Sequence, residues 1–390
     1  MKYNNKNISR FFFKSQYCIL LIFLSVINSY GQDNFTYRDA SGLRTTESPT
    51  IAPVSLPATS YDITQALPAN FVRDGSVDYT TYIQKAIDTH NSVIFPNFPV
   101  LINTNGLSLK SNSVLIFKDK TKILFKPSNL QSYAILKIYD IQNVKIFSPV
   151  IVGDRLAHNG TLGEWGMGIK IVGSKNIEIH NAKITKCWGD GIYISNSPKT
   201  VTNNIVLQRP TLDFNRRNGI TITGGQNVKI IDALVSNTSG VPPMCGIDIE
   251  PNNNKAILDN ISILNYLSFN NQISGLQIGL SSLPGPESKS LNINVQRIVT
   301  RFSPYGIILG GFREKYAGAK VISGQIILND VKIHDGTLPI KIGRNYHNGP
   351  AIKISKASFF RTNGGKELLH TKEMENFKWR IQQRSNTSID

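Results

Sequence analysis

Two carboxylates stand two residues apart in an alternating stretch, Asp248 and Glu250 of Gly246-Ile-Asp-Ile-Glu250. In an extended chain, residues i and i+2 share one face and lie roughly 6.5–7 Å apart. A general acid and a general base that activate a water across a glycosidic bond need roughly 6.5–9.5 Å between their carboxyls. Asp190, in Gly189-Asp190-Gly191, is a third candidate for either role. A different chemistry is open to neighbouring residues. Lys170 or Tyr193 suits a base that abstracts a proton next to a carboxylate, with Arg216 and Arg217 stabilising the charge that develops. A calcium ion held by Asp190 and Asp248 would serve in place of the arginines, since calcium takes oxygen ligands. Hydrolysis itself calls for no cofactor, and no cluster has metal-ligand spacing.

A repeating frame must position these groups. Asparagine opens short strands at Asn143, Asn176, Asn204, Asn227, Asn260 and Asn292. Glycine opens a second series at Gly168, Gly191, Gly219, Gly246, Gly275 and Gly306, in steps of 23 to 31 residues. Alternating apolar and polar residues at this period indicate a stacked solenoid. The connections lack helical period, so the expected fold is all-β: a right-handed parallel β-helix with a short N-terminal capping helix. The asparagines read as an internal ladder, and each glycine as a tight bend into its strand. With the isoleucines of each glycine strand pointing inward, the residue two after the glycine points outward. That column is Lys170, Tyr193, Thr221, Asp248 and Gln277. The column four after the glycine includes Thr223 and Glu250. Lys170, Tyr193, Thr221, Asp248 and Glu250 are thus expected on one exposed, groove-like face.

The loops before the glycines are the least repetitive part of the chain. They hold Asp154, Arg155, His158, Glu164 and Trp165, then Trp188 and Asp190, then Asp213, Arg216 and Arg217. A solenoid requires none of these types there. Tryptophans in exposed loops suit the faces of sugars, and arginines suit carboxylates. Trp165, Lys170, Trp188, Tyr193, Arg216, Arg217, His158 and Glu164 are therefore the candidate substrate-binding residues. The other histidines, His90, His180, His334, His347 and His370, are scattered and read as surface or loop residues.

The chain's termini differ from this frame. Lys2, Lys6, Arg10 and Lys14 precede an apolar run from Tyr17 to Ile27, and Ser29 and Gly31 fit a cut before Gln32. Residues 1–31 read as a cleavable signal peptide, too short to be a stable membrane span. Secreted or periplasmic localisation follows. Residues 32–70 read as a linker or N-terminal arm, 71–365 as the solenoid and 366–390 as a C-terminal cap or tail. A helix is expected at Asp78–His90, with Tyr82, Ile83, Ala86 and Ile87 covering the solenoid's open end. The formal charge is +17, of which the leader carries four, leaving +13. That balance favours a polyanion, and export argues against nucleic acid. Cys187 and Cys245 fall on coils two apart, beyond disulfide reach, and read as packing residues.

The stretch DGSVDYTTYIQKAIDTHNSVIFP, Asp74 to Pro96, resembles the N-terminal helix-and-strand module of the pectate-lyase-like superfamily of right-handed β-helix proteins. That superfamily holds polygalacturonase-type hydrolases, polysaccharide lyases, epimerases and phage tailspikes. Of the polygalacturonase motifs, the chain carries Gly189-Asp190-Gly191 near the paired-Asp position and no Gly-His-Gly. The resemblance implies an exported carbohydrate-active enzyme that cleaves an acidic polysaccharide, read first as a polygalacturonase-like glycoside hydrolase with Asp190, Asp248 and Glu250. A lyase or epimerase acting on uronates, and a non-catalytic glycan-binding or adhesion solenoid, are the alternatives.

Overall fold

A computed structural model describes residues 35–44, 59–310, 320–343, 349–364 and 366–390. The expected signal peptide, residues 1–31, and His347 lie outside these residues. The chain winds as the expected right-handed parallel β-helix. One face is a nine-stranded parallel sheet built from the glycine strands and their neighbours, from Leu107–Ser108 to Leu338–Ile342. Its register is in step: Leu136, Ile169, Ile192, Ile220, Ile247, Leu276, Ile307 and Ile340 stack in one column. All eight are buried, as alternation requires for a coil whose inner side has only other coils to pack against.

The corners are set by left-handed residues. Asn143, Asn176, Asn204, Asn227 and Asn260 all have φ between 52° and 58°. Asparagine tolerates this region better than other residues with a Cβ. Their side chains form a ladder in two runs, Asn176 Nδ2 donating to Asn143 Oδ1 at 2.9 Å and Asn204 Nδ2 to Asn176 Oδ1 at 2.8 Å, then Asn260 Nδ2 to Asn227 Oδ1 at 2.6 Å, with Asn227 turning to Asn203 and not to Asn204. The ladder is on the surface and not internal as expected, because the left-handed bend turns these side chains out to solvent. Asn176→Ala is expected to cost roughly 1–2 kcal/mol from backbone strain alone, and Asn176→Gly less. Urea unfolding would check it; an equal or smaller loss for alanine would show that the bend does not select the residue.

The column of glycines has another cause than the one expected. None of Gly168, Gly191, Gly219, Gly246, Gly275 and Gly306 has a positive φ. A Cβ on Gly168 would lie 2.6 Å from both Gly191 O and Ile184 Cγ2. The glycines let the coil's walls close on each other, and do not bend the strand.

The N-terminal helix spans Thr80–Thr89 and buries Ile83, Ala86 and Ile87. Tyr82 is exposed, one residue off the buried stripe. The sheet begins earlier than residue 71, since Tyr61–Asp62 pairs with Ser92–Phe95. At the other end the helix Thr371–Gln382 buries Phe377 and Ile381, and Thr387–Ile389 adds a last parallel strand. Part of the N-terminal arm, residues 35–44, lies along the solenoid: Asn237 bonds both the N–H and the C=O of Arg38. His180 and His334 are buried strand residues, not surface ones. They stack on Phe147 and Phe360, because the flat imidazole fits between stacked coils. Cys187 and Cys245 are buried free thiols, consistent with packing.

Candidate functional site

The outward column expected from the repeats is present. Lys170 pairs in register with Tyr193, Tyr193 with Thr221, Thr221 with Asp248 and Asp248 with Gln277. Glu250 continues the ladder just beyond its strand, its N–H bonding Ile222 O at 3.0 Å. Asp248 and Glu250 therefore share a face, as the alternation required. That face is not uniformly exposed: Thr221 and Asp248 are buried, while Glu250 reaches solvent. Of the side chains that bond Asp248, Asn218 comes from the loop before Gly219, which a repeat pattern does not describe, and Gln277 from the next glycine strand.

Arg217 organises the acids. Its Nη1 lies 3.0 Å from Asp190 Oδ2, and its Nε lies 3.6 Å from Glu164 Oε2. Asp190 is fully buried and also accepts the Asn218 N–H at 3.1 Å. Asn218 sits on the coil between Asp190 and Asp248 and reaches both: its Nδ2 lies 3.4 Å from Asp248 Oδ2. Gln277 Nε2 donates to Asp248 Oδ1 at 3.1 Å. One cation thus faces Asp190, Glu164, Asp248 and Glu250. Burial, then the charges of Glu250 and Asp190, push the Asp248 carboxyl well above the usual carboxylate range; Arg217 pulls the other way and does not offset them. Burial raises Asp190 as well, against the pull of Arg217 and its hydrogen bonds.

Asn218 and Gln277 were not singled out in the sequence as site residues. Asn218 had a findable signal: it occupies the position before the glycine that Asp190 occupies one coil earlier. The calcium arrangement does not fit this geometry. Every oxygen of Asp190 and Asp248 already faces a donor from Arg217, Asn218 or Gln277. Among the described residues no group of three His, Cys, Asp or Glu side chains could hold a metal.

Lys170 and Tyr193 lie next along the groove. The Lys170 ammonium is 5.5 Å from the Tyr193 ring centroid and 5.9 Å from that of Tyr139. Burial lowers its pKa, against the charge of Asp190. Trp165 is 47 % exposed and open to a planar sugar face.

Trp188, His158 and Arg216 do something else. Trp188 is buried, not an exposed loop residue; its ring stacks on His158 at 3.8 Å and carries the Arg216 guanidinium at 3.7 Å. His158 Nδ1 is 2.8 Å from Asp154 Oδ2, and Asp154 also accepts from Tyr133 Oη and Ser128. Arg216 Nη1 donates to Gly163 O at 2.7 Å. These residues fold the loop from Asp154 to Glu164 onto the solenoid. Large planar side chains are needed there because the loop has no coil of its own to pack in.

Comparison with known proteins agrees with this architecture. The family model for the right-handed beta helix region matches residues 90–262 and 167–294, together more than half of the chain. The uncharacterized protein YclG of Bacillus subtilis is 26% identical over 293 residues, covering 65% of this chain and 47% of its own length. The chain thus spans about half the length of that relative. Among solved structures, polygalacturonase from Erwinia carotovora superposes with a TM-score of 0.58 at 15% identity, covering 80% of this chain and 88% of that one. Endo-xylogalacturonan hydrolase from Aspergillus tubingensis gives 0.53 at 14% identity, covering 75% and 83%. At such identities the likeness is one of fold.

Proposed function

We propose, for a chain that belongs to the right-handed β-helix family, that it is an exported glycoside hydrolase of polygalacturonase-like type acting on an acidic polysaccharide. The observation that carries this reading is the division of labour between Asp248 and Glu250. Asp248 is buried among acids, and burial and their charges raise its pKa, the direction a general acid needs. Glu250 shares its face and touches solvent, where a base can take a proton from water. Asp248 has no solvent exposure, so Gln277, half-buried and bonded to its Oδ1, would have to turn aside for a glycosidic oxygen to reach that atom. Protonation of that oxygen by Asp248 and attack by a water activated by Glu250 make an inverting hydrolysis. Asp190, held by Arg217 and Asn218, positions these groups. Lys137, Lys170 and Tyr193 line the groove on its N-terminal side, where an anionic chain would lie. The named activities of the two structural neighbours, a polygalacturonase and an endo-xylogalacturonan hydrolase, support a polysaccharide substrate.

The lowered pKa of Lys170 beside Tyr193 favours a second reading, a uronate lyase. One assay separates the two. The purified protein is given pectic, alginate, glycosaminoglycan and neutral polysaccharides while reducing ends and near-ultraviolet absorbance are followed together. New reducing ends without absorbance are expected. Absorbance rising with reducing ends would transfer the chemistry to Lys170 and Tyr193. Silence in both channels with retained binding would leave an epimerase or an adhesin.

A further inference from the structure

Beside the acid cluster the chain turns sharply in chemical character. Arg216 and Arg217 are consecutive, yet Arg217 turns to the carboxylates and Arg216 lines a separate cavity of about 490 Å3. Tyr37, Arg155, Trp188, Phe214, Ser239 and Gln272 are among its other walls. This volume lies within the range of small-molecule sites, roughly 300–1,000 Å3.

Its two guanidiniums are fixed by uncharged groups. Arg155 lies 3.8 Å over the Phe214 ring and donates to Phe214 O at 2.9 Å and Ser239 Oγ at 2.8 Å. Arg216 lies over Trp188 and donates to two carbonyls, Gly163 O and Trp188 O. All four acceptors are uncharged. Among the described residues no carboxylate comes within 4.0 Å of either arginine in an ion pair. Burial, then the charge of Arg216, pulls the Arg155 pKa down to about 10. Glu164 is the carboxylate whose charge acts on Arg216, and Asp213 the one whose charge acts on Arg155. The oxygens of Asp213 are taken by other donors: Tyr37 Oη at 3.1 Å, Ser236 Oγ at 2.6 Å and Asn237 Nδ2 at 2.7 Å. Tyr37 comes from the N-terminal arm, whose backbone is bonded to Asn237 and Asn270. The arm therefore both walls the cavity and occupies the acid that would otherwise approach Arg155.

We propose that Arg155 and Arg216 form a second carbohydrate subsite that takes one carboxylated sugar unit, walled by the aromatic rings of Tyr37, Trp188 and Phe214. Two pre-fixed guanidiniums that bond only uncharged acceptors match a carboxylate, and the aromatic edges match the apolar side of a sugar ring. The inference rests on the reading of the groove as a polysaccharide site and names the class of sugar that site selects.

The test reads binding, so it fails separately from hydrolysis. Tri-galacturonate and neutral tri-galactose are titrated calorimetrically into Asp248→Asn protein, and Trp fluorescence is followed because Trp188 carries Arg216. Reducing ends are measured with wild-type protein in parallel. Arg155→Gln and Gln272→Glu are then added; the second keeps an acceptor for the Gly240 N–H that Gln272 now binds at 3.1 Å and brings a charge of the wrong sign. Each is expected to weaken the acidic trimer about tenfold, Arg155→Gln by removing one charge-assisted contact and Gln272→Glu by adding a repelling charge, and to leave the neutral trimer unchanged. Circular dichroism melts identify a variant that has lost its fold, and Gln272→Glu then decides alone. Equal affinity for the acidic trimer in Gln272→Glu, or a neutral trimer bound as tightly as the acidic one, would overturn the subsite. Binding without reducing ends in the wild type would keep the subsite and remove the hydrolase.

Discussion

Asp248→Asn is expected to lower the release of reducing ends by about 10²–10⁴-fold, the usual contribution of a general acid, and at the same time to raise stability at neutral pH. The two effects share one origin. Burial and the charges of Glu250 and Asp190 keep the Asp248 carboxyl protonated in the folded protein above the pH at which it ionises in the unfolded chain. An unfolded aspartate releases its proton near about 3.9. Below that pH both states hold the proton and the raised pKa costs nothing. Above it the unfolded state releases the proton and the native state does not, so stability falls as pH rises toward the folded value. Asparagine cannot ionise and escapes that loss. Thermal melts of wild type and variant should therefore coincide near pH 3 and separate by pH 7, with the variant higher. A variant that melts lower at pH 7 would mean that Asp248 is ionised and held by Arg217. It could not then serve as the acid.

Arg217→Met should be the most destabilising single change in the site, by about 3–5 kcal/mol, the cost of stripping a buried charge of its partner. Asp190 has no solvent exposure and Arg217 only 14% at its side chain, so water replaces little of the lost ion pair. The Asn218 N–H would remain as a donor to Asp190. Urea unfolding at pH 7 would measure the loss. Asp190→Asn combined with Arg217→Met should recover most of it, because a neutral amide needs no counter-ion. The loss should also shrink toward pH 4. Burial already raises the Asp190 pKa, and without Arg217 it rises further, so protonation relieves the unpaired charge as the pH falls. A full loss that persists in the double variant would place the cost in packing of the arginine's stem and not in charge.

Asp248 shows how far alternation carries. The sequence placed it beside Glu250 and in line with Tyr193, Thr221 and Gln277, because a strand allows its side chains only two faces and a solenoid stacks identical faces. The register has this order. Its burial was not legible, since burial depends on how Asn218 of an irregular loop and the long side chain of Gln277 close on it. The same limit applies to Trp188 and Arg216. Their types suggested a sugar platform and a carboxylate clamp in an exposed loop, and in the structure one is stacked on the other. The glycines misled in a related way. A glycine is chosen for a positive φ or for a missing Cβ, and only the distance from Gly168 to the neighbouring coil decides between them.

What the sequence by itself determined is whatever repeats: the parallel coils, the inward isoleucines, the asparagine corners and the shared face of Asp248 and Glu250. Each follows from local periodicity, which reads the same in every coil. Tertiary structure alone decided which charges meet. Arg217 is one residue from Arg216 in the chain, yet it faces Asp190, 27 residues away, while Arg216 lines another cavity with Tyr37 of the arm. Adjacent residues in an irregular loop have no period to fix their directions. The direction of each is set by the burial of Asp190 and by the ring of Trp188, contacts that exist only once the coils are stacked.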